Sequence, residues 1–407
     1  MPAKKDEIQY ALGRTSASDR HSTIPPHAVM RSRSGKSSPR PLLSAPMKPP
    51  AIYEALNHEV IGQSGALREV SVALYKHLIG HKTGNILMIG GSGTGKTTIM
   101  KSVENLLRES ETFAEYGIVV RINANLLADL ASRGMQSSVV LEKLVVEARA
   151  RFGSDMPLEQ IVKCVEHGIV FIDEIDKIRS HVGDQPNVSG IIAQESLLTL
   201  MEAETAMVPV EVQQHGSPVN KSVPIDTGGI LFIAGGAFEE LYDQVFDRVT
   251  NKGKNPPWKL VQKADGTVER RIVFQIADHL LHADLFDYGI TPQFLARFDS
   301  IVTLRNLSAR DLMTIFKDIP GAMLPTAQEY FSEYGVHLEL TEDALYFIAD
   351  KATENSRLGA RALKEVFGRI IKSFEYDPWS TGKVASGTKG ETLVIDMDIC
   401  NEAYKTY

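Results

Sequence analysis

The residues Gly90-Gly91-Ser92-Gly93-Thr94-Gly95-Lys96-Thr97 place four glycines, a lysine and two threonine hydroxyls in eight consecutive positions. Glycines let a backbone curl until several N–H groups converge on one anion. A lysine at the end of the curl adds a full positive charge, and the following hydroxyl is a hard oxygen donor for a divalent cation. The string fits G-x-x-x-x-G-K-[ST], the cradle for the phosphates of a nucleoside triphosphate. Its expected phosphate contacts are Gly91, Ser92, Gly93, Thr94, Gly95, Lys96, Thr97 and Thr98, with Lys96 at the β- and γ-phosphates and Thr97 on Mg²⁺. A plain glycine turn with a stray lysine is the competing reading. It is disfavoured by the flanks: Asn85–Ile89 reads as a short buried strand, and the residues from Thr98 to Leu107 read as an amphipathic helix.

A second string, Gly168-Ile169-Val170-Phe171-Ile172-Asp173-Glu174, is an apolar strand ending in two carboxylates. Downstream of a phosphate loop this is the Walker B pattern. Asp173 is expected to hold Mg²⁺ through its water shell, and Glu174 to polarise the attacking water. Taken alone, adjacent carboxylates after a strand serve as helix caps just as often. Phosphoryl transfer also needs positive charge around the γ-phosphate oxygens. Two downstream arginines are candidates: Arg297, in Phe294-Leu295-Ala296-Arg297-Phe298-Asp299, and Arg361, in Gly359-Ala360-Arg361-Ala362. Out of context either would be an ordinary surface or ion-paired arginine.

These groups need a scaffold. Short apolar runs at Asn85–Ile89, 118–122, 169–172 and 230–233 suit a parallel sheet covered on both faces, with helices between them at 139–152 and 191–202. The expectation is a doubly wound α/β domain over 50–307 that binds phosphate at the carboxyl end of its strands. From Ser308 the pattern turns mostly helical, at 309–334, 341–354 and 360–376, with a small strand pair at 336–340 and 392–396. A smaller α-rich domain is expected over 308–407. The stretch 251–267, rich in Lys, Asn, Gly and Pro, reads as an exposed insertion.

Composition narrows the class. Of 407 residues, 43% are hydrophobic and 23% charged, as in ordinary globular proteins, and no apolar run suits a membrane span. Cys164 and Cys400 form no metal or redox pair and are expected as small core residues of a protein in a reducing, cytoplasmic setting. Residues 1–50 hold nine Lys/Arg against three Asp/Glu; the remainder holds 35 against 48, a balance of −13. So acidic a body argues against nucleic acid as the main partner. The Ser-, Pro- and Arg-rich segment 1–49 cannot build a core and is expected to be disordered. Its Arg and Ser content also suits a mitochondrial transit peptide, against which the early Asp6 and Glu7 count.

With these motifs in order, the chain resembles the AAA+ ATPases, and within them the ClpX-type unfoldases. Val60-Ile61-Gly62-Gln63 resembles the segment that contacts adenine there, with Val60 and Ile61 as the contacts. The run Ile172 to Lys177, the Val188-Ser189-Gly190 helix start, Gly235-Gly236-Ala237-Phe238, the Arg297 segment and Gly359-Ala360-Arg361 also match. The resemblance implies ATP and Mg²⁺ as cofactors and a homo-hexameric ring with nucleotide at the subunit interfaces. It implies that Arg297 is an arginine finger acting in the neighbouring subunit and that Arg361 is the sensor 2 residue. It further implies that hydrolysis changes the angle between the two domains to do work on a protein substrate. At the usual sensor 1 position Ala234-Gly235-Gly236 provides no polar side chain.

Four departures bear on what is moved. The Ser/Pro/Arg tail stands where the family usually has a four-cysteine zinc domain. The main pore loop corresponds to Ser132-Arg133-Gly134-Met135-Gln136-Ser137, where Met135 replaces an aromatic–aliphatic pair. The second pore loop corresponds to Val212-Gln213-Gln214-His215-Gly216, with one histidine in place of a basic trio. The peptidase-docking tripeptide Ile-Gly-Phe is absent from 237–287, where Ile272-Val273-Phe274 reads better as a strand. His58-Glu59 lacks the second histidine of a metalloprotease motif, and no G-x-S-x-G occurs. The expected function is ATP-driven remodelling of a protein client by a ClpX-type ring without the usual ClpP-type peptidase. Two alternatives stay open: a peptidase-coupled unfoldase using divergent contacts, and a nucleotide-gated scaffold ring docked through the basic tail.

Overall fold

Alternate residues of each central strand face opposite ways, and here both ways lead into a core. In Asn85–Ile89, Leu87 and Ile89 join one apolar cluster while Ile86 and Met88 join another. Ile169–Asp173 divides likewise, Val170 and Ile172 against Ile169 and Phe171. Strands buried on both faces need helices on both faces. The stripes that meet them are visible in the helices: Ile99, Val103 and Leu107 of Lys96–Glu109 on one side, Val140, Leu141, Leu144 and Ala148 of Ser138–Phe152 on the other.

The computed structural model describes residues 47–405 apart from 82–83, 110–116, 133–137, 154–155, 203, 215–216, 253, 263–266, 273, 356 and 388–389. Its central sheet has five parallel strands in the order Phe298–Thr303, Asn85–Ile89, Leu231–Gly236, Ile169–Asp173, Val119–Asn123. Because all run the same way, their carboxyl ends form one edge. The register aligns Ile89 with Gly236, Asp173 with Gly235 and Asn123 with Asp173 along it. The doubly wound α/β expectation therefore holds, and a smaller, largely helical C-terminal region follows.

That region has its own core, from Leu307 through Phe316, Phe331, Ile348, Phe367 and Ile371 to Cys400. Its helix Glu342–Glu354 is capped by the Thr341 side chain, which accepts from Ala344 N at 3.2 Å, a contact that stabilises a helix by about 1 kcal/mol. The expected single helix over 309–334 is corrected to two, Ala309–Lys317 and Met323–Glu333. Pro320 has no N–H to continue the first helix, and Gly321 turns the chain at φ +70°. The expected strand pair is three strands: Val336–Leu340 pairs in parallel with Gly390–Ile395, which also pairs with Val384–Gly387.

Several β elements escaped the sequence reading. Phe298–Thr303 is broken by Asp299 and Ser300, so it shows no apolar run, yet it completes the sheet beside Asn85–Ile89. Thr205–Gln214 and Ser217–Asp226 form a long antiparallel hairpin. Part of the expected insertion at 251–267 is a second hairpin, Trp258–Gln262 with Val268–Ile272, whose Trp258, Leu260 and Val268 are exposed. Cys400 is fully buried, and burial together with the Asp396 charge pushes its thiol up to about 12; Cys164 is half-buried against the large core. Met135, His215 and residues 1–46 of the basic tail lie outside the described residues. Among the described residues no helix is long and apolar enough to cross a membrane.

Candidate active site

The phosphate loop leaves the carboxyl end of Asn85–Ile89 and enters the helix Lys96–Glu109. Gly93 and Gly95 adopt φ +69° and +109°, values that L side chains rarely adopt, so the loop needs glycine there. Thr94 Oγ1 closes the turn onto Gly91 O at 2.9 Å. Lys96 Nζ folds back onto the loop, donating to Gly90 O and, at 2.9 Å, to Gly91 O. Burial lowers its pKa to about 8, partly offset by the charges of Asp173 and Asp176. A desolvated ammonium held in a glycine loop is a strong anion site, because little water competes with the incoming phosphate.

Asp173 sits on the same sheet edge, and Thr97 Oγ1 lies 3.3 Å from its Oδ2. A hydroxyl and a carboxylate at this spacing fit Mg²⁺, a hard cation that keeps waters and takes its remaining oxygens from phosphate. Glu174 has φ +58° in the left-handed region. For a non-glycine residue that costs on the order of 1–3 kcal/mol, and such strain clusters at functional sites. Its Oε2 accepts from Asn123 Nδ2 at 2.8 Å and Asn125 Nδ2 at 3.1 Å. Sequence reading missed both asparagines. The available signal was a polar residue ending the apolar run 118–122 on the strand next to Asp173.

Arg361 reaches this edge from the C-terminal region: its Nη1 donates to Ser92 Oγ at 2.6 Å. The chain just before it packs directly on the loop. Ala360 N donates to Gly93 O at 3.1 Å, and Gly359 at φ +51° approaches so closely that a Cβ would lie 2.6 Å from Gly93 O. Val60 is buried beneath the loop, 3.8 Å from where a Cβ on Gly95 would stand, and Ile61 follows, half-buried. Gln63, 3% exposed, donates to Thr94 O at 3.0 Å and Arg305 O at 2.8 Å while accepting from Arg305 N at 3.0 Å. It thus ties the phosphate loop to the backbone that leads into the second core.

Arg297 is not brought to this edge. It precedes Phe298, which pairs with Asn85 at the amino end of the sheet, so a strand length of about 17 Å separates it from the phosphate loop. Its guanidinium pairs with Glu202, and its Nε is buried without a hydrogen-bond partner. The tip of Leu231–Gly236 carries no polar side chain. A Cβ on Gly235 would stand 3.0 Å from Met100 Cε and 3.7 Å from Lys96 Cδ, so Met100 and the Lys96 stem fill the space where a sensor would sit. Beyond it, buried Asp176 accepts from Ala237 N at 3.1 Å.

A glycine loop on a parallel sheet, an acidic pair on the same carboxyl edge and an arginine from a helical C-terminal region define a nucleotide-hydrolysing protein with a two-part body. Residues 81–301 match the family described as AAA domain (Cdc48 subfamily), and residues 307–391 match the C-terminal, D2-small domain of ClpB protein. The chain is 30% identical over 366 residues to the ATP-dependent Clp protease ATP-binding subunit ClpX of Porphyromonas gingivalis, covering 86% of this chain and 80% of that one. Its counterpart from Bacteroides fragilis is 29% identical over 348 residues, covering 81% and 77%. That from Bacteroides thetaiotaomicron is 29% identical over 352 residues, covering 83% and 78%. The chain belongs to the AAA+ ATPases of the ClpX type.

Proposed function

We propose that this ATPase is the subunit of a Clp-type ring that unfolds or remodels a protein client. The observation that carries the reading is the contact of Arg361 with Ser92, between residues 269 apart in sequence. A side chain from one core that meets the phosphate loop of the other gives ATP differential contacts with two arrangements of the cores, and that difference is what a motor needs.

In this reading Gly91 to Thr98 hold the phosphates, Val60 and Ile61 face adenine, and Thr97 with Asp173 hold Mg²⁺, which would neutralise charge on the β- and γ-phosphates. Glu174 takes the proton of the attacking water. Arg361 senses the nucleotide within its own subunit, and Arg297 reaches the γ-phosphate of a neighbour in a hexamer. Its distance from the loop in its own chain supports action in trans. The Ile-Gly-Phe tripeptide is missing between 237 and 287, where this chain has an exposed hairpin instead, so we propose that the usual peptidase is not its partner.

The test is a pull-down with Glu174→Gln, which should hold ATP and its client together. Parental hydrolysis by that variant would remove Glu174 from the mechanism. Robust degradation of a tagged client in the presence of ATP and a ClpP-type peptidase would remove the independence from peptidase.

A further inference from the structure

Gln194 is 1% exposed in the middle of the helix Val188–Met201, among apolar neighbours. Its amide is fully used. Nε2 donates to Ile178 O at 2.7 Å and Gly289 O at 2.9 Å; Oε1 accepts from Thr291 N and Thr291 Oγ1, each at 2.9 Å. A buried primary amide offers two donors and one acceptor oxygen with two lone pairs, and all four find partners here. The two chain segments it joins are far apart in sequence. Ile178 belongs to the turn that follows Asp173 and Glu174. Thr291 opens the single helical turn Pro292–Leu295 that delivers Arg297.

Neighbouring bonds make the junction stiff. Ser180 N donates to Gly289 O at 2.8 Å, and Asn187, which caps the helix, also donates from Nδ2 to Arg179 O at 2.9 Å. Thr291 stands at the N-cap of its helix without a side-chain capping bond, because its hydroxyl is committed to Gln194. Glu202, the residue that follows the helix Val188–Met201, pairs with Arg297. One helix therefore grips the Arg297 segment at both ends while its start is bonded to the turn behind Glu174.

We infer that Gln194 is a positioning residue that locks the Walker B turn to the Arg297 segment, so that a subunit's own nucleotide site and the arginine it offers its neighbour move as one piece. This rests on reading Arg297 as a finger acting in trans. With its amide wholly bonded to protein groups, Gln194 acts by fixing where Arg297 begins.

The experiment uses full-length subunits, alone and mixed. Gln194→Met keeps the volume and removes the bonds. It should leave the ATP dissociation constant within about twofold and lower kcat by about tenfold to a hundredfold, the range for misplacing a group by an ångström. Thr291→Val removes one of the four bonds from a half-buried position and should act in the same direction more weakly. Mixed with Glu174→Gln subunits, whose Arg297 is intact, the Gln194→Met subunits should regain hydrolysis above the sum of the separate preparations. Arg297→Ala mixed with Glu174→Gln is the reference. If that reference gains and the Gln194→Met mixture does not, or if Gln194→Met alone hydrolyses at the parental rate, the inference is overturned while the finger survives. If the reference mixture gains nothing, the finger reading falls and takes the inference with it. Should Gln194→Met not assemble, Thr291→Val is judged by the same rule.

Discussion

The Arg361 guanidinium donates from Nη1 to Ser92 Oγ at 2.6 Å, joining the first turn of a C-terminal helix to the phosphate loop. A hydroxyl is a neutral acceptor, and a phosphate oxygen is a charged one with stronger hydrogen bonds to guanidinium. Arg361 is therefore expected to exchange Ser92 for the nucleotide. Arg361→Ala should lower kcat about a hundredfold, as removal of one transition-state donor does. Ser92→Ala should change it by no more than about threefold, because the bond it removes is one that Arg361 gives up when nucleotide binds. Steady-state ATPase assays on both variants decide the matter; equal losses would show that Ser92 itself carries the effect.

Gly359 packs its backbone tightly against the phosphate loop. Its φ of +51° and the 2.6 Å that would separate a Cβ from Gly93 O leave no room for a side chain. Gly359→Ala should cost about 1–3 kcal/mol through strain and a forced retreat from the loop. The expected readout is a lower melting temperature together with weaker nucleotide binding, measured by scanning calorimetry and by displacement of a fluorescent nucleotide. Unchanged binding would mean that this approach does not shape the site.

Glu174→Gln keeps the shape of a side chain that accepts from Asn123 and Asn125 but removes its basicity. Hydrolysis should fall by about a hundredfold to ten-thousandfold, the usual range for loss of a general base. ATP binding, followed by isothermal titration, should persist. A variant that no longer bound ATP would assign Glu174 to ground-state binding instead.

Lys96 gives a pH signature. Burial lowers its pKa to about 8, so its charge is present below that pH and is lost as pH rises through it. The cationic form attracts phosphate, so ATP affinity should be highest below pH 8 and weaken above it, by at most about tenfold per pH unit for one linked proton. Lys96→Met should bind weakly throughout and abolish the slope. A parental affinity that stays flat from pH 7 to 9 would contradict the assignment.

What was legible in the sequence follows from how locally each feature is encoded. The glycine loop needs consecutive residues with unusual backbone freedom, so its signature is contiguous. The strand ending in Asp173-Glu174 is an unbroken apolar run because both its faces are buried. Phe298–Thr303 lies on a sheet edge, tolerates Asp299 and Ser300, and left no such run. The helix expected across 309–334 erred because the apolar spacing continues past Pro320 although the backbone cannot.

The sequence by itself determined the chemistry available: a phosphate cradle, an acidic pair and two arginines, each recognisable from side-chain type and short spacing. Only the tertiary structure decided which of them meet. Asn123 and Asn125 reach Glu174, Gln63 spans Thr94 and Arg305, and Gln194 spans Ile178 and Thr291, because strand order and helix packing bring distant segments together. An uncharged amide in an apolar stretch leaves little trace in one dimension. Its role depends on which buried backbone groups need a partner, and those become buried only when the sheet and its helices close around them.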